Sequence, residues 1–265
     1  MSAVIIGDGL VHYEAIGRGP PLLFIHGWLG SWRYWVPTME ELSIEYRTYA
    51  LDLWGFGDSD RLDGHYDVES YVTLVRDFIT TLGIKPPIPL VGHALGAVTA
   101  VLLAARHPDM VSRVMAVSLP LLGETLNPRL SNQGGSIPID RVLGRRLPPE
   151  YEPVRVEAIK AEESAVISSA NSVRGLNLSP KLARIQVPVL LVHGERDNVV
   201  PPPQAERLNG LLGTGSQIHF ITLPSTRHFP MLEEKAKFNR LLRDFLVTDD
   251  LDTLQLKEEW RRLMR

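Results

Sequence analysis

The chain has 265 residues, 44% of them apolar and 22% charged, with a formal net charge of −3. This balance is that of an ordinary globular protein. It excludes collagen-like, coiled-coil and disordered chains and offers nucleic acid no electrostatic attraction. The sequence contains no cysteine, which excludes a disulfide scaffold, a cysteine-ligated zinc, an iron–sulfur cluster and a thiol nucleophile.

Residues 1–14 have no basic region and only a short apolar run, which does not fit a signal peptide. The longest mostly apolar stretch, Gly96 to Ala105, is about half the ~20 residues of a membrane-spanning helix. A cytoplasmic protein off the membrane is expected. Leu22 to His26 reads as a buried strand after Pro20-Pro21, and Tyr46 to Leu51 as a second. Asp67 to Leu82 has apolar residues at helical spacing (Val68, Tyr71, Leu74, Val75, Phe78, Leu82), with Gly83 as its stop. Ile88 to Val91 reads as a strand leading directly into a helix that runs to Ala105. Val111 to Leu119, Val187 to His193 and Ile218 to Leu223 read as further strands, and Glu233 to Leu246 as a helix. In the final stretch Leu256, Trp260, Leu263 and Met264 share one helical face, which suits docking on the chain's own core; a dimer contact is the alternative, so monomer or homodimer is expected.

Strands alternating with helices imply an α/β fold, a mostly parallel sheet covered on both faces. Ligands of such sheets bind beyond the carboxyl ends of the strands. One stretch breaks the alternation. Residues 120–178 contain no strand-like run; their first half is rich in Pro, Gly and Asn, and Pro153 to Ala170 is helical in pattern. An insertion of this size between two core strands reads as a cap or lid. The organisation expected is a core of residues 1–119 and 179–265 with a cap at 120–178.

The chemistry-bearing motifs follow predicted strands. His26-Gly27-Trp28-Leu29-Gly30 comes first, its glycines freeing the backbone so that an amide, that of Trp28, can turn into a site. Asp52 to Ser59 includes Gly55-Phe56-Gly57, but no third glycine opens a helix as a dinucleotide loop requires. Gly92-His93-Ala94-Leu95-Gly96 lies between a strand and a helix. A turn this tight needs small residues two positions either side of its apex. The apex then projects at the helix N-terminus, and the Leu95 N–H is free to meet an oxyanion. That is the G-x-S-x-G pattern of a nucleophile elbow, with Ala94 at the apex. Asp197 follows the next-to-last strand and His228 the last, giving the order apex, acid, base.

On these residues the chain resembles the α/β-hydrolase superfamily, serine-hydrolase branch, over nearly its whole length. The resemblance implies His228 as general base, Asp197 as its orienting carboxylate, Trp28 and Leu95 as oxyanion amides, and Ala94 in the nucleophile's place. It implies no cofactor, no metal and a small-molecule substrate. His93 reads as structural; His107 and Asp109 lack metal-ligand spacing. Trp28, Trp54 and Phe229 are expected to line an aromatic-tolerant substrate pocket. Trp32 and Trp35 also lie near site loops, and Leu122, Leu143 and Ile167 are cap positions with no distinguishing pattern.

A methyl group cannot attack a carbonyl, and neither Ser59 nor Ser118 sits in an elbow. Three readings of Ala94 follow: a serine hydrolase of small carboxylic esters inactivated by replacement of its serine, a natural non-catalytic ligand-binding relative, or a lyase that needs only His228 and the amides. The intact surroundings favour the first. Within the superfamily, dehalogenases and epoxide hydrolases carry an aspartate at the apex, usually followed by Trp. Here Leu95 follows, and the cap holds one tyrosine, Tyr151, rather than the epoxide hydrolases' pair. Serine is thus the expected parent residue, with C–C bond hydrolysis by the same triad as a further alternative.

Overall fold

A computed structural model describes residues 2–131, 142–143, 147–208, 210–212 and 216–254. The helical face expected from Leu256 to Met264, and with it the dimer contact, lies outside the described residues. Among these, eight strands form one sheet in the order β1-β2-β4-β3-β5-β6-β7-β8. They are β1 (Ser2–Ile6), β2 (Gly9–Ile16), β3 (Pro21–Ile25), β4 (Arg47–Leu51), β5 (Ile88–His93), β6 (Val111–Val117), β7 (Val189–Gly194) and β8 (Ile218–Leu223). From β4 through β8 every pairing is parallel. The α/β architecture expected from the alternation is therefore present, as a mostly parallel sheet flanked by helices.

β1 and β2 add to the expected strands. They form an antiparallel hairpin that also pairs antiparallel with β4. Its signals are local: Gly7-Asp8 makes the two-residue turn, with Gly7 at φ 55°, and exposure alternates along β1.

The helices are α1 (Val36–Leu42), α2 (Val68–Thr81), α3 (Leu95–Arg106), α4 (Glu152–Ala158), α5 (Glu163–Arg174), α6 (Ser179–Leu182), α7 (Ala205–Leu208), α8 (Pro230–Glu233) and α9 (Lys235–Val247). α2 starts where its sequence says it should: the Asp67 side chain accepts the Ser70 N–H at 2.8 Å, satisfying one of the first-turn donors. α3 is buried from Leu95 to Ala104, and it lies against β5 and β6.

Two helical stretches divide. The pattern at 153–170 becomes α4 and α5 because the Glu162 N–H donates to the Gly55 carbonyl at 2.8 Å instead of continuing a helix. The 233–246 pattern divides at Glu234, which has φ −131° and ψ 51°. Within 120–178 the described residues contain no strand, only an isolated bridge between Leu122 and Asn177. No helix among the described residues is long and apolar enough to cross a membrane.

Candidate active site

The site loops follow the carboxyl ends of β3, β4, β5, β7 and β8. Among the described residues, the non-glycine residues with positive φ are Leu29 (60°), Ala94 (48°), Ser118 (50°) and Ser225 (64°). They follow β3, β5, β6 and β8, so the backbone strain is gathered at one edge of the sheet. Strain of this kind costs ~1–3 kcal/mol per residue and persists only where the surroundings enforce it.

Ala94 is the sharpest case, with φ 48° and ψ −107° between β5 and α3. Its N–H donates to Val117 O at the end of β6 at 2.8 Å and its carbonyl accepts from Val98 N in α3 at 3.1 Å, so β6 and α3 hold the turn. The flanking glycines are sterically required. A Cβ on Gly92 would overlap the Gly96 carbonyl, and one on Gly96 would overlap the Ile25 carbonyl and lie 2.6 Å from that of His26.

Gly27 and Gly30 serve differently from the expectation. Neither has positive φ; Leu29 takes that conformation. A Cβ on Gly27 would sit 2.9 Å from the Ala94 Cβ and from His93 Nδ1, and one on Gly30 would overlap the Tyr34 ring. The glycines are there so that this loop can approach the apex closely. Leu53 N–H donates to His26 Nε2 at 2.9 Å. His26 Nδ1 therefore carries the proton and donates to the Gly27 carbonyl at 2.9 Å, tying the loop down. Among the described residues the backbone N–H groups of Trp28 and Leu95 form no hydrogen bond with a protein group, so both amides flanking the apex are free.

Asp197 and His228 meet as expected. His228 Nδ1 and Asp197 Oδ2 are 2.8 Å apart and both side chains are buried. The other carboxylate oxygen accepts from the Val199 and Val200 N–H groups at 2.9 and 3.0 Å. Burial opposes ionisation of Asp197, but the neighbouring His228 charge and hydrogen bond, the Val200 N–H and the Ser118 hydroxyl outweigh it, and the carboxyl is held down at about 2. The two loops are laced by Arg196 N–H to Thr226 O at 2.8 Å. A Cβ on Gly194 would overlap the Arg227 carbonyl, so that glycine admits the loop bearing His228. Nearby His193 is buried, which pushes its imidazole down to about 4; Nε2 contacts Leu119 O at 3.1 Å and Nδ1 has no partner.

The three aromatic expectations fare unequally. Trp28 is buried, and its indole N–H donates to Ser169 Oγ on α5 at 2.9 Å. Phe229 is packed behind His228, with ring centroids of His93, His228 and Tyr151 at 4.9, 5.0 and 5.0 Å. It is a packing residue for the His228 loop. Trp54 is turned toward the hairpin: a Cβ on Gly9 would meet its ring at 2.9 Å, and it borders a surface depression with Ile6, Gly7, Asp8 and Leu62. Its burial there comes from the β1–β2 hairpin, which lies outside the strands expected from the apolar runs. Trp35 is core, its ring tilted against Phe24 with centroids 5.0 Å apart, and Trp32 lies under the Arg33 guanidinium at 4.8 Å.

The Asp52–Ser59 loop is an internal anchor. Asp52 accepts from Trp32 N, Asp58 N and His12 Nδ1 at 2.9, 2.9 and 3.0 Å, and a Cβ on Gly57, whose φ is 54°, would overlap the carboxylate. The ligand-type atoms of His12, Asp52 and Asp58 lie within 4.8 Å of one another. Asp58 nevertheless already pairs with Lys160 at 3.0 Å and Arg33 at 3.4 Å. One of the three groups thus already pairs with cations of the protein.

Comparison with known proteins agrees with this fold. A family model described as the alpha/beta hydrolase fold matches residues 20–137. The 2-(acetamidomethylene)succinate hydrolase of Mesorhizobium japonicum is 30% identical over 85% of this chain and 87% of its own. The chain belongs to the α/β-hydrolase family. Another relative of this family, the pimeloyl-[acyl-carrier protein] methyl ester esterase of Shewanella woodyi, is 27% identical over 89% of this chain and 97% of its own. The enol-lactonase of Burkholderia xenovorans LB400 superposes with a TM-score of 0.81, covering 93% of this chain and 100% of that one at 24% identity.

Sequence reasoning missed Tyr34, Ser169 and Glu157, all buried. Tyr34 stands one turn past the first loop, and Ser169 and Glu157 belong to helices whose placement over the core no local pattern reports.

Proposed function

We propose that this α/β-hydrolase is a serine hydrolase of small carboxylic esters or related acyl compounds, here in a form whose nucleophile position holds Ala94. The observation that carries the reading is the buried 2.8 Å His228–Asp197 pair at the same sheet edge as the strained apex. A carboxylate kept ionised beside an imidazole in a buried site can hold that imidazole in its Nδ1–H tautomer and stabilise it once protonated. Residues 120–178 form the cap, with α5 over the Trp28 side of the site. No cofactor and no metal are required.

With serine at 94, the hydroxyl gives its proton to His228 Nε2 as its oxygen bonds to the acyl carbon. The carbonyl π electrons move onto oxygen, where the Trp28 and Leu95 N–H groups receive the charge, each such donor being worth about 3 kcal/mol. Collapse expels the alkoxide, which takes the proton from His228. Water, deprotonated by the same imidazole, then releases the acid. Asp197 stays ionised throughout.

The test is Ala94→Ser, assayed on short- and medium-chain p-nitrophenyl esters and labelled with a fluorophosphonate. The expected outcome is hydrolysis on the order of a thousandfold or more above the Ala94 protein, with covalent labelling. A serine form that neither hydrolyses these esters nor labels would overturn the reading. The ester-cleaving relative supports it, as does Leu95 after the apex in place of Trp.

A further inference from the structure

His93 stands between the two halves of the site and belongs to neither. It is fully buried, and both of its ring nitrogens are engaged. Nε2 lies 2.8 Å from the carbonyl oxygen of His228. A carbonyl only accepts, so Nε2 carries the proton and Nδ1 is the bare nitrogen. Nδ1 faces the Tyr34 hydroxyl at 3.0 Å, which must therefore donate to it. The same hydroxyl accepts the Gly27 N–H at 2.7 Å. Every group in the chain has one compatible role: Gly27 N–H to Tyr34 O, Tyr34 O–H to His93 Nδ1, His93 Nε2–H to the His228 carbonyl.

The endpoints give the chain its interest. Gly27 immediately precedes Trp28, whose amide is one of the two free donors beside the apex. His93 immediately precedes Ala94. His228 carries the imidazole paired with Asp197. Packing fixes the Tyr34 ring in the place where its hydroxyl can join them. The ring lies edge-on to His93 and Phe229 at 5.6 Å in each case, and Gly30 leaves the space it fills. Burial, with the neighbouring His228 charge as a smaller cause, pushes the His93 imidazole well below its ordinary value and keeps it neutral.

We propose that Tyr34 and His93 are positioning residues that hold the Trp28 amide, the apex and the His228 backbone in one register through this single hydrogen-bonded chain. The proposal rests on the hydrolase reading for its kinetic consequence, but the chain itself can be observed without any turnover. Neither residue touches substrate.

The experiment has two arms. In the Ala94 protein as it exists, long-range ¹⁵N–¹H NMR should show His93 as the neutral Nε2–H tautomer from pH 5 to 8, and Tyr34→Phe should shift the Gly27 amide resonance. A charged or Nδ1–H His93, or an unmoved Gly27 amide, would overturn the proposal whether or not the serine form is active. In the Ala94→Ser protein, adding Tyr34→Phe should lower kcat about tenfold or more with KM within twofold. That is less than the 10²–10³ lost when an oxyanion donor is deleted, because the donor is displaced and not removed. Circular dichroism should show Tyr34→Phe folded, and adding His93→Leu should cost no more than the larger single loss, since both break one chain. A kcat within twofold of Ala94→Ser, or fully additive losses, would count against it. An inert Ala94→Ser protein would refute the hydrolase reading and leave the NMR arm to decide this one.

Discussion

The carboxyl edge of the sheet and the helices α4 and α5 are held by different balances of contacts. At the edge, backbone meets backbone: Gly92 against Gly96, Gly96 against Ile25 and His26, Gly194 against Arg227. Nothing there can give without moving a strand. α4 and α5 are joined to the core by the Glu162 N–H on the Gly55 carbonyl, by buried Val154, Val166, Ala170 and Val173, and by many side-chain contacts. Arg33 Nε meets Glu157 at 2.8 Å, Lys160 meets Glu157 and Asp58 at 3.0 Å each, and Arg61 meets Glu162 at 3.3 Å. Two serines, Ser169 and Ser172, accept from Trp28 Nε1 and Val68 N at 2.9 and 3.1 Å. Gly175, after α5, has nothing within 4 Å of the place a Cβ would take. Close backbone contacts fix the turns at the edge, whereas partly exposed ion pairs around α4 and α5 tolerate small changes of geometry.

The comparison can be broken at several points. The largest effect belongs to the edge: in the Ala94→Ser protein, Asp197→Asn should lower kcat by about 10⁴, since the amide favours the wrong tautomer of His228; steady-state ester hydrolysis reads it. Next, Gly96→Ala should destabilise by about 3 kcal/mol or more, as a methyl forced against two backbone carbonyls has no rotamer to escape into. Urea unfolding measures it.

A third test is pH. His193 is neutral when folded, with its imidazole at about 4 against the usual 6.5. The unfolded chain binds more protons below 6.5, so stability falls as pH drops from there toward 4, by up to about 1.4 kcal/mol per pH unit for this one group. Buried His93 acts in the same direction. Asp197, at about 2 against 3.8, adds a loss only below about pH 4. His12 is raised: burial lowers it, but its hydrogen bond and attraction to Asp52 prevail. Its contribution is present in acid and fades as pH rises through its folded value. Urea midpoints from pH 7 to 4 should therefore fall, and His193→Asn should make that fall shallower.

The smallest effects belong to the contacts around α4 and α5. Arg61 is more than half exposed, so Arg61→Ala should cost under about 1 kcal/mol and less in high salt. Gly175→Ala, at φ −81°, should be neutral or stabilise by up to about 0.5 kcal/mol through the unfolded chain. Thermal unfolding checks both. A Gly175→Ala loss as large as that of Gly96→Ala would erase the distinction between the two regions.

Much was legible in order along the chain. The strands from Leu22 to Leu223, the span of α2 with its stop at Gly83 and the glycines around Ala94 rest on short-range pattern: apolar runs, helical spacing, small residues around a turn; Asp197 and His228 were legible from their order after the last two strands. What escaped reading was decided across distance. The β1–β2 hairpin brings Gly9 against the Trp54 ring. The Gly55 carbonyl cuts one helical pattern into α4 and α5. Phe229 becomes packing behind the imidazole because Tyr151 of the insertion meets it there.

The sequence by itself determined the fold family and which residue stands at the apex, since these depend on residue types at fixed spacing. Only the tertiary structure decided how the apex is supported. Tyr34 and His93 are 59 positions apart and His93 and His228 are 135. A hydrogen bond between such residues leaves no periodic trace in the chain, because it is formed by the packing of the sheet and not by any local run of residues.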